Sequence, residues 1–416
     1  MLLEFACKNH RSIRKEVLFS AIASKDTTHI ERTAEFDSER ILKTAVIYGA
    51  NGSGKSNFID AINYVINLVT DSYKYPPGQG IPQVPHKLEG LDSDSEYKLQ
   101  FLIDGVRYAY GFTVRKFLIE DEYLYYFPNK RPVKIFERNS DGFTAGSKFR
   151  GKFSLCNDVL KPNRLMLSCA ANFSNVPEVE AAYRFLSGGI VLYNIDSQNN
   201  WMKYTLRTLH KNPDIKKEVI RFMQSLSIDI KDIKIEMEKV SPNDIDLPDY
   251  LSDEFKNKLM QSTINKFRAE LVYQKFSVDL ENEESNGVRK LFAFLCPFID
   301  ITQNNKVLIC DELEQSLHES VLYELVKLFI KLSHGKNCQM IFSTHDTSLL
   351  NLDLFRRDQI WFTELKKEDR STDLYSLAEI KNVRKDESFR KGYISGKYGA
   401  IPMLNADMAD RMNRGE

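Results

Sequence analysis

Residues 49–56, GANGSGKS, match the pattern G-x-x-x-x-G-K-[ST], in which a glycine-rich turn binds the phosphates of a nucleotide. The apolar stretch TAVIY precedes the turn and an apolar helical stretch follows it from about Asn57. In such a loop, backbone N–H groups face the α- and β-phosphates, Lys55 reaches the β- and γ-phosphates, and the Ser56 hydroxyl is a ligand for Mg²⁺. The predicted nucleotide contacts are Gly49, Asn51, Gly52, Ser53, Gly54, Lys55, Ser56 and Asn57.

A second group of reactive side chains lies in the stretch KVLICDELEQSLHESV, residues 306–321. Its apolar residues predict a buried strand that ends at Asp311 and Glu312. A carboxylate at the end of a strand beside a phosphate loop suits Mg²⁺, so Asp311 is the predicted metal ligand together with Ser56. Glu312 is predicted to polarise the attacking water as a general base. Two acids at a strand end can also be purely structural, but the phosphate loop in the same chain favours the catalytic interpretation.

A third apolar stretch, QMIFSTHDTSLL at residues 339–350, predicts a strand that ends at His345. A neutral imidazole there is predicted to contact the γ-phosphate and to report its presence. The alternative is an ordinary strand-end histidine with a satisfied hydrogen bond.

Neither N-K-x-D nor D-x-x-G occurs in the chain, which disfavours a GTPase, and the long separation of Lys55 from Asp311 disfavours a small-molecule kinase. ATP is therefore the predicted nucleotide.

The composition excludes several classes of protein. Lys+Arg and Asp+Glu both number 58 in 416 residues, so no overall positive field indicates a protein that coats nucleic acid. No apolar run approaches the roughly 18 residues that span a membrane, and the first residues lack the apolar core of a signal peptide. The six cysteines show no zinc-site or C-x-x-C spacing. The sequence therefore predicts a cytoplasmic protein with no membrane partner.

The predicted fold class is α/β, with a mixed or parallel core sheet around the phosphate loop. Residues 1–170 are predicted as an N-terminal ATPase lobe that includes an antiparallel β-subdomain, with a β-meander over 97–138. Residues 171–265 are predicted as a helical insertion, with a break at 241–248. Residues 266–416 are predicted as the C-terminal ATPase lobe, and the polar tail after Met403 is predicted to fray.

These motifs together resemble the ABC-type ATPase heads of the RecF, SMC, Rad50 and OLD group. The resemblance rests on the phosphate loop, the acidic pair, SLH at 316–318, STH at 343–345 and the opening FACKNHRSI, which looks like the NFRSF start of those heads with His10 replacing the usual aromatic. It implies an ABC-ATPase-like head. More narrowly, ESNGVRKL, DELEQSLH, STHDTSLL and YISGKYGAIPML resemble ATPase subunits of bacterial abortive-infection and phage-defence systems of the AbiL, RloA and PARIS kind.

In that group, a signature helix from a second protomer covers the γ-phosphate. The segment EESNGVRKL is the best match, which makes Ser285 and Gly287 nucleotide contacts supplied by a second copy. The segment departs from L-S-G-G-Q, and the structural alternative is a helix N-cap at Ser285. The resemblance implies a homo-oligomer, as an ATP-linked dimer or a larger ring. It also implies a separate nuclease or TOPRIM-like effector, because no TOPRIM-like segment follows Met403.

Three functions stay open from the sequence. The first is an ATP-hydrolysing switch or sensor of an anti-phage defence system, triggered by a phage protein or DNA and controlling the effector. The second is a RecF-like repair ATPase that binds DNA directly, which the locally basic residues 148–164 favour and the neutral chain charge disfavours. The third is a scaffold that holds ATP with little turnover and sequesters a toxic partner.

Overall fold

A computed structural model describes residues 1–140, 142–194, 197–240, 264–384 and 387–402. In chain order the strands are β1 (Leu2–Lys8), β2 (Val17–Ser20), β3 (Thr33–Phe36), β4 (Glu39–Leu42), β5 (Thr44–Gly49), β6 (Ser95–Ile103), β7 (Val106–Arg115), β8 (Leu118–Phe127), β9 (Val133–Asn139), β10 (Gly142–Ala145), β11 (Ile190–Tyr193), β12 (Asp232–Val240), β13 (Ile264–Val272), β14 (Ser277–Asp279), β15 (Val307–Cys310), β16 (Gln339–Ser343), β17 (Ile360–Leu365) and β18 (Thr372–Ser376). The helices are α1 (Lys55–Asp71), α2 (Ser154–Val159), α3 (Met166–Phe173), α4 (Pro177–Arg184), α5 (Gln198–Lys211), α6 (Pro213–Ser225), α7 (Asn286–Gln303), α8 (Glu319–Leu332) and α9 (Phe389–Ile394).

A six-stranded sheet carries the phosphate loop. Its strand order is β11-β15-β16-β5-β17-β18, and every neighbouring pair is parallel except β17 and β18. All residues of β5, β15 and β16 are buried, as the continuous apolar sequences of parallel strands require when both faces are covered. Parallel strands place their carboxyl ends at one edge, so β5, β15 and β16 deliver the loops that follow them to the same region. The predicted α/β class with a mixed core sheet is confirmed.

Helix α1 follows the phosphate loop and is fixed by its apolar side chains. Phe58, Ile62, Val65 and Val69 are each at most 1% exposed and belong to one core with residues of β1, β5 and β6. Complete burial of a side chain of this size contributes about 1.5 to 3 kcal/mol. The buried side chains along α1 therefore fix the position of its first residues, next to the phosphate loop.

A seven-stranded sheet forms the predicted antiparallel β-subdomain. Its order is β10-β9-β8-β7-β6-β1-β2, and each pair of neighbours is antiparallel. The turn between β6 and β7 uses Asp104 and Gly105, both with positive φ (46° and 76°), as a two-residue hairpin of this type needs. The predicted meander over 97–138 is thus confirmed.

The side chain of Gln339 joins this antiparallel sheet to the sheet of the phosphate loop. Its Oε1 accepts a hydrogen bond from the Leu2 N–H at 2.6 Å, and its Nε2 donates to the carbonyls of Leu2 and Leu42, both at 2.9 Å. Gln339 is 1% exposed. Because a buried amide is costly without partners, this glutamine specifies how the two sheets meet.

The chain divides into two compact units. The first comprises residues 1–193, 301–314 and 325–416, and the second comprises 194–300 and 315–324. The second unit contains α5, α6 and the three-stranded antiparallel sheet β12-β13-β14 around its own core, which includes Leu206, Met223, Ile233, Leu271 and Phe292. The predicted domain limits at 170 and 265 differ from these limits and stay a prediction.

Two stretches within the region predicted as mainly helical are strands. These are β11, with the sequence IVLY, and β12, with the sequence DIKIEMEKV. In β12 the apolar residues Ile233, Ile235 and Met237 alternate with charged ones, which is the period of a strand rather than of a helix.

The predicted break at 241–248 and the tail after Met403 lie outside the described residues. Within the described ranges, no helix is both long enough and apolar enough to cross a membrane.

Candidate nucleotide-binding site

The phosphate loop connects the end of β5 directly to the start of α1. The helix begins at Lys55, two residues before the predicted start, because Gly54 is its N-cap with φ +108°. Gly52 also has a positive φ, +76°, which glycine adopts without the strain of a side chain. Glycine has no side chain to cap the first N–H groups of the helix, so these donors and the positive helix end are available to an anion.

The three predicted groups meet around one cavity. Its volume is about 310 Å³, and its lining consists of residues 51–57 together with Glu312 and His345. Gly49 ends the strand that leads into this loop, and Asp311 precedes Glu312. Strands β15 and β16 end beside the loop that follows β5, which is why residues so distant in sequence come together.

The Ser343 hydroxyl forms hydrogen bonds with both residues of the acidic pair, Asp311 and Glu312. This hydroxyl donates to Oδ1 of Asp311 at 2.5 Å and accepts the N–H of Glu312 at 2.8 Å. Glu312 has a φ of +51°, which a residue with a side chain rarely adopts, and the bond to its N–H fixes this backbone. Ser343 is completely buried. Ser343 lies in the motif STH, but the sequence alone predicts no role for it.

His345 is exposed at the edge of the cavity, and its backbone is held by a carboxylate. Its N–H donates to Oε1 of Glu314 at 2.7 Å. Although His345 is exposed, partial desolvation of its ring and the charge of Lys55 lower the pKa of the imidazole, while Glu314, Glu312 and Asp311 oppose this change. The net result is a lowered pKa, which favours the neutral imidazole ring of His345 at pH 7.

Glu314 is a site residue that the sequence analysis missed. Its second oxygen, Oε2, is buried and has no hydrogen-bond partner among the described residues. The position of Glu314, two residues after Glu312, was the only sequence feature that pointed to the site. A glutamate in a polar loop gives no reason, from sequence alone, to predict it as a site residue.

Lys55 is 5% exposed, and its Nζ donates to the carbonyls of Gly49 at 2.8 Å and Ala50 at 3.2 Å. Burial lowers its pKa, and the negative charges of Asp311, Glu314 and Glu312 oppose the change. The carbonyl contacts hold the ammonium group at the loop.

The side chains of Ser53 and Asn57 have protein partners. The Ser53 hydroxyl lies 2.6 Å from Oγ1 of Thr363, and the Asn57 amide donates to the hydroxyl of Ser12 at 2.6 Å. These side-chain bonds, together with the bond that the Ser53 N–H donates to the Ala50 carbonyl at 3.1 Å, fix the conformation of the loop. Ser12, Thr363 and Thr372 took no part in the predicted site.

Ser285 and Gly287 belong to the second compact unit, at the start of α7. The hydroxyl of Ser285 accepts the N–H of Val288 at 3.3 Å, which is the pattern of the N-cap considered as the structural alternative. A Cβ on Gly287 would lie 2.6 Å from the carbonyl oxygen of Ser316, so the glycine permits a close backbone approach. Their role as a signature motif stays a prediction.

The residues present fit a nucleotide with Mg²⁺. Free N–H groups at a helix start and a buried lysine suit phosphates. The Ser56 hydroxyl and the carboxylate of Asp311 are the hard oxygen donors that Mg²⁺ prefers.

Comparison with known protein families identifies the chain. A family described as "AAA domain, putative AbiEii toxin, Type IV TA system" matches residues 45–351, from the strand of the phosphate loop to the segment after His345. The chain belongs to this AAA-domain family. The family supports ATP binding and hydrolysis, and it confirms the predicted AAA-family ATPase.

Solved structures give a more distant likeness for this AAA-domain protein. The SMC head domain from Thermotoga maritima is 13% identical with a TM-score of 0.43, over 90% of this chain and 98% of that chain. The SMC head bound to the C-terminal winged-helix domain of ScpA is 14% identical with a TM-score of 0.46, over 90% and 97%. The SMC head with an extended coiled coil, bound to the C-terminal domain of ScpA and derived from Pyrococcus furiosus, is 13% identical with a TM-score of 0.41, over 95% and 98%. No curated protein matches the sequence.

Proposed function

We propose that this protein is a Mg²⁺-dependent ATPase that acts as the switch subunit of a bacterial anti-phage defence system in the cytoplasm. The observation that carries the proposal is the single cavity lined by the phosphate loop, Glu312 and His345. A phosphate-binding helix start suits the phosphates of ATP, an acid beside it can orient the attacking water, and a neutral imidazole can contact the γ-phosphate.

Each group has a proposed role at a stated atom. The backbone N–H groups of the loop and Nζ of Lys55 bind the phosphates, and Oγ of Ser56 and a carboxylate oxygen of Asp311 hold the metal. Bound Mg²⁺ supplies charge stabilisation to the phosphates. The Glu312 carboxylate accepts a proton from the attacking water, and the His345 ring contacts the γ-phosphate.

The proposal extends to assembly and to a partner. Ser285 and Gly287 of a second copy would complete the site, so that turnover depends on a dimer or ring. The family's description names a putative toxin of a type IV TA (toxin–antitoxin) system, which supports a functional partner for this chain. We extend this to a separate nuclease or TOPRIM-like effector. Bound nucleotide would then bias the surface that meets this effector.

The first experiment compares two buried lysines. Lys55→Met should lower ATP turnover about a hundredfold or more, because it removes a charge aimed at the phosphates. Lys43→Met is the matched control, since Lys43 is 4% exposed and its Nζ donates to the Ser333 carbonyl at 2.9 Å. Equal losses in phosphate release for both variants, after correction for folded fraction, would contradict a nucleotide role for Lys55.

The second experiment tests the switch. Glu312→Gln should bind ATP without hydrolysing it and should trap an ATP-bound oligomer, measured by size exclusion with light scattering in ATP and Mg²⁺. Normal turnover in this variant would refute the role of Glu312. Ser285→Arg should block the oligomer while nucleotide binding by the single chain persists.

The third experiment separates the switch from its alternatives. ATP-dependent capture of the product of a neighbouring nuclease or TOPRIM-like gene supports the defence function. Salt-dependent DNA binding with DNA-stimulated turnover would instead support the RecF-like repair ATPase. Tight capture of one toxic protein with very slow turnover would support a scaffold.

A further inference from the structure

The antiparallel hairpin β17–β18 contacts the phosphate loop through two buried threonines. Oγ1 of Thr363 donates to the carbonyl of Tyr48 at 3.3 Å, which leaves it to accept from the Ser53 hydroxyl at 2.6 Å. Oγ1 of Thr372 donates to the carbonyl of Ser53 at 2.9 Å. Ser53 is therefore held at both its side chain and its backbone.

A chain of donors extends this contact to the start of α1. Because Thr372 donates to Ser53, it accepts from the hydroxyl of Ser12, which lies 2.7 Å away. Ser12 in turn accepts from the side-chain amide of Asn57 at 2.6 Å. The hydroxyls of Ser12 and Thr372 each donate once and accept once, so both are satisfied in this partly buried arrangement.

The same threonines explain two glycines of the loop. A Cβ on Gly49 would lie 2.3 Å from Oγ1 of Thr363, and a Cβ on Gly54 would lie 2.1 Å from Oγ1 of Thr372. The hairpin therefore contacts the phosphate loop at its first residue, Gly49, and at its sixth, Gly54. At both positions a residue larger than glycine would clash with a threonine of the hairpin.

The hairpin is itself a firm support. Phe362, which precedes Thr363 in β17, packs on Tyr48 of β5 and on Tyr393 of α9. The ring centroids are 6.4 Å and 5.5 Å away. The Thr372 N–H donates to the carbonyl of Ser12 at 2.8 Å. Thr363 and Thr372 are 0% and 4% exposed, so neither hydroxyl has water as an easy substitute partner.

We propose that Thr363 and Thr372 are positioning residues that hold the phosphate loop in its anion-binding conformation before nucleotide arrives. They act through Ser53 and touch no substrate. A loop that is already ordered binds its ligand without the cost of ordering, so the hydroxyls set nucleotide affinity rather than the rate of the chemical step. This inference rests on the proposed ATP site.

The test compares alanine with serine at each position, because the serine variant retains the hydroxyl and loses only the methyl group. Thr363→Ala and Thr372→Ala should each raise the Kd and the KM for ATP about tenfold, with kcat within about twofold. The serine variants should bind ATP nearly as the wild type does. In the nucleotide-free protein, amides of residues 50–54 should exchange hydrogen faster in the alanine variants only.

Thr205 gives a matched control, since it is completely buried and its hydroxyl donates to the Ala293 carbonyl at 2.9 Å in the second unit. Thr205→Ala should lower the unfolding temperature without changing the Kd for ATP. Alanine variants of Thr363 and Thr372 that behave like this control would overturn the inference. Failure of the wild-type protein to bind ATP would overturn the proposed function as well, so the two failures are distinguishable.

Discussion

The Ser343 hydroxyl lies at the centre of the acidic pair, and Ser343→Ala tests the catalytic geometry. The substitution removes a donor to the Asp311 carboxylate and an acceptor of the Glu312 N–H. A hydrogen bond to a charged group is worth about 1.5 to 3 kcal/mol and a neutral one about 0.5 to 1.5 kcal/mol. Together they provide about 2 to 4.5 kcal/mol. If roughly half of this free energy positions the transition state, kcat falls about 5- to 45-fold.

The assay is steady-state phosphate release, with ATP affinity and thermal unfolding measured in parallel. The affinity should change little, because Ser343 contacts the acids rather than the phosphate loop. Ser333→Ala is the control: Ser333 is also buried, and its hydroxyl donates to the Ile330 carbonyl at 3.0 Å. A Ser343→Ala protein that is folded and turns over ATP within twofold of the wild type would refute the reasoning.

Three further predictions concern the fold and pH. Gln339→Ala removes three hydrogen bonds, two to Leu2 of β1 and one to Leu42 of β4, and should lower the free energy of unfolding by about 2 to 4 kcal/mol, measured by urea denaturation. Burial raises the pKa of Glu122 from 4.5 to about 6, so stability should fall by about 2 kcal/mol in total as pH rises from well below 4.5 to well above 6, and Glu122→Gln should abolish this part of the pH dependence. Burial lowers the pKa of His345, so the acid limb of kcat should lie below pH 6.5; a limb above that value would contradict a neutral imidazole.

The local chemistry of the site was predictable from sequence, whereas its supports were not. The phosphate loop, Asp311, Glu312 and His345 stand at strand ends, where short motifs show both the residue type and its position. Ser343 fell within such a motif, yet its bond to Asp311 depends on the pairing of β15 with β16. Thr363 is a threonine in an apolar strand, and only the pairing of β17 with β5 brings it to the loop.

Misassigned elements have similar causes. The helix after the loop begins at Lys55 because Gly54 takes the cap position, which a hydrophobic pattern alone does not locate. The four residues of β11 are too short a run to show a period of two, and neighbouring helical patterns dominated the prediction. For β11 the deciding partner, β15, is distant in the chain, where a sequence window does not reach.

The position of β5 between β16 and β17 has a consequence for synthesis. Both neighbours of this strand are made about 300 residues after it, so a nascent chain carries the complete phosphate-loop sequence long before the strands that support it exist. A fragment that ends before Gln339 should therefore bind nucleotide poorly despite its intact motif. Nucleotide binding at this site therefore depends on the synthesis of both supporting strands.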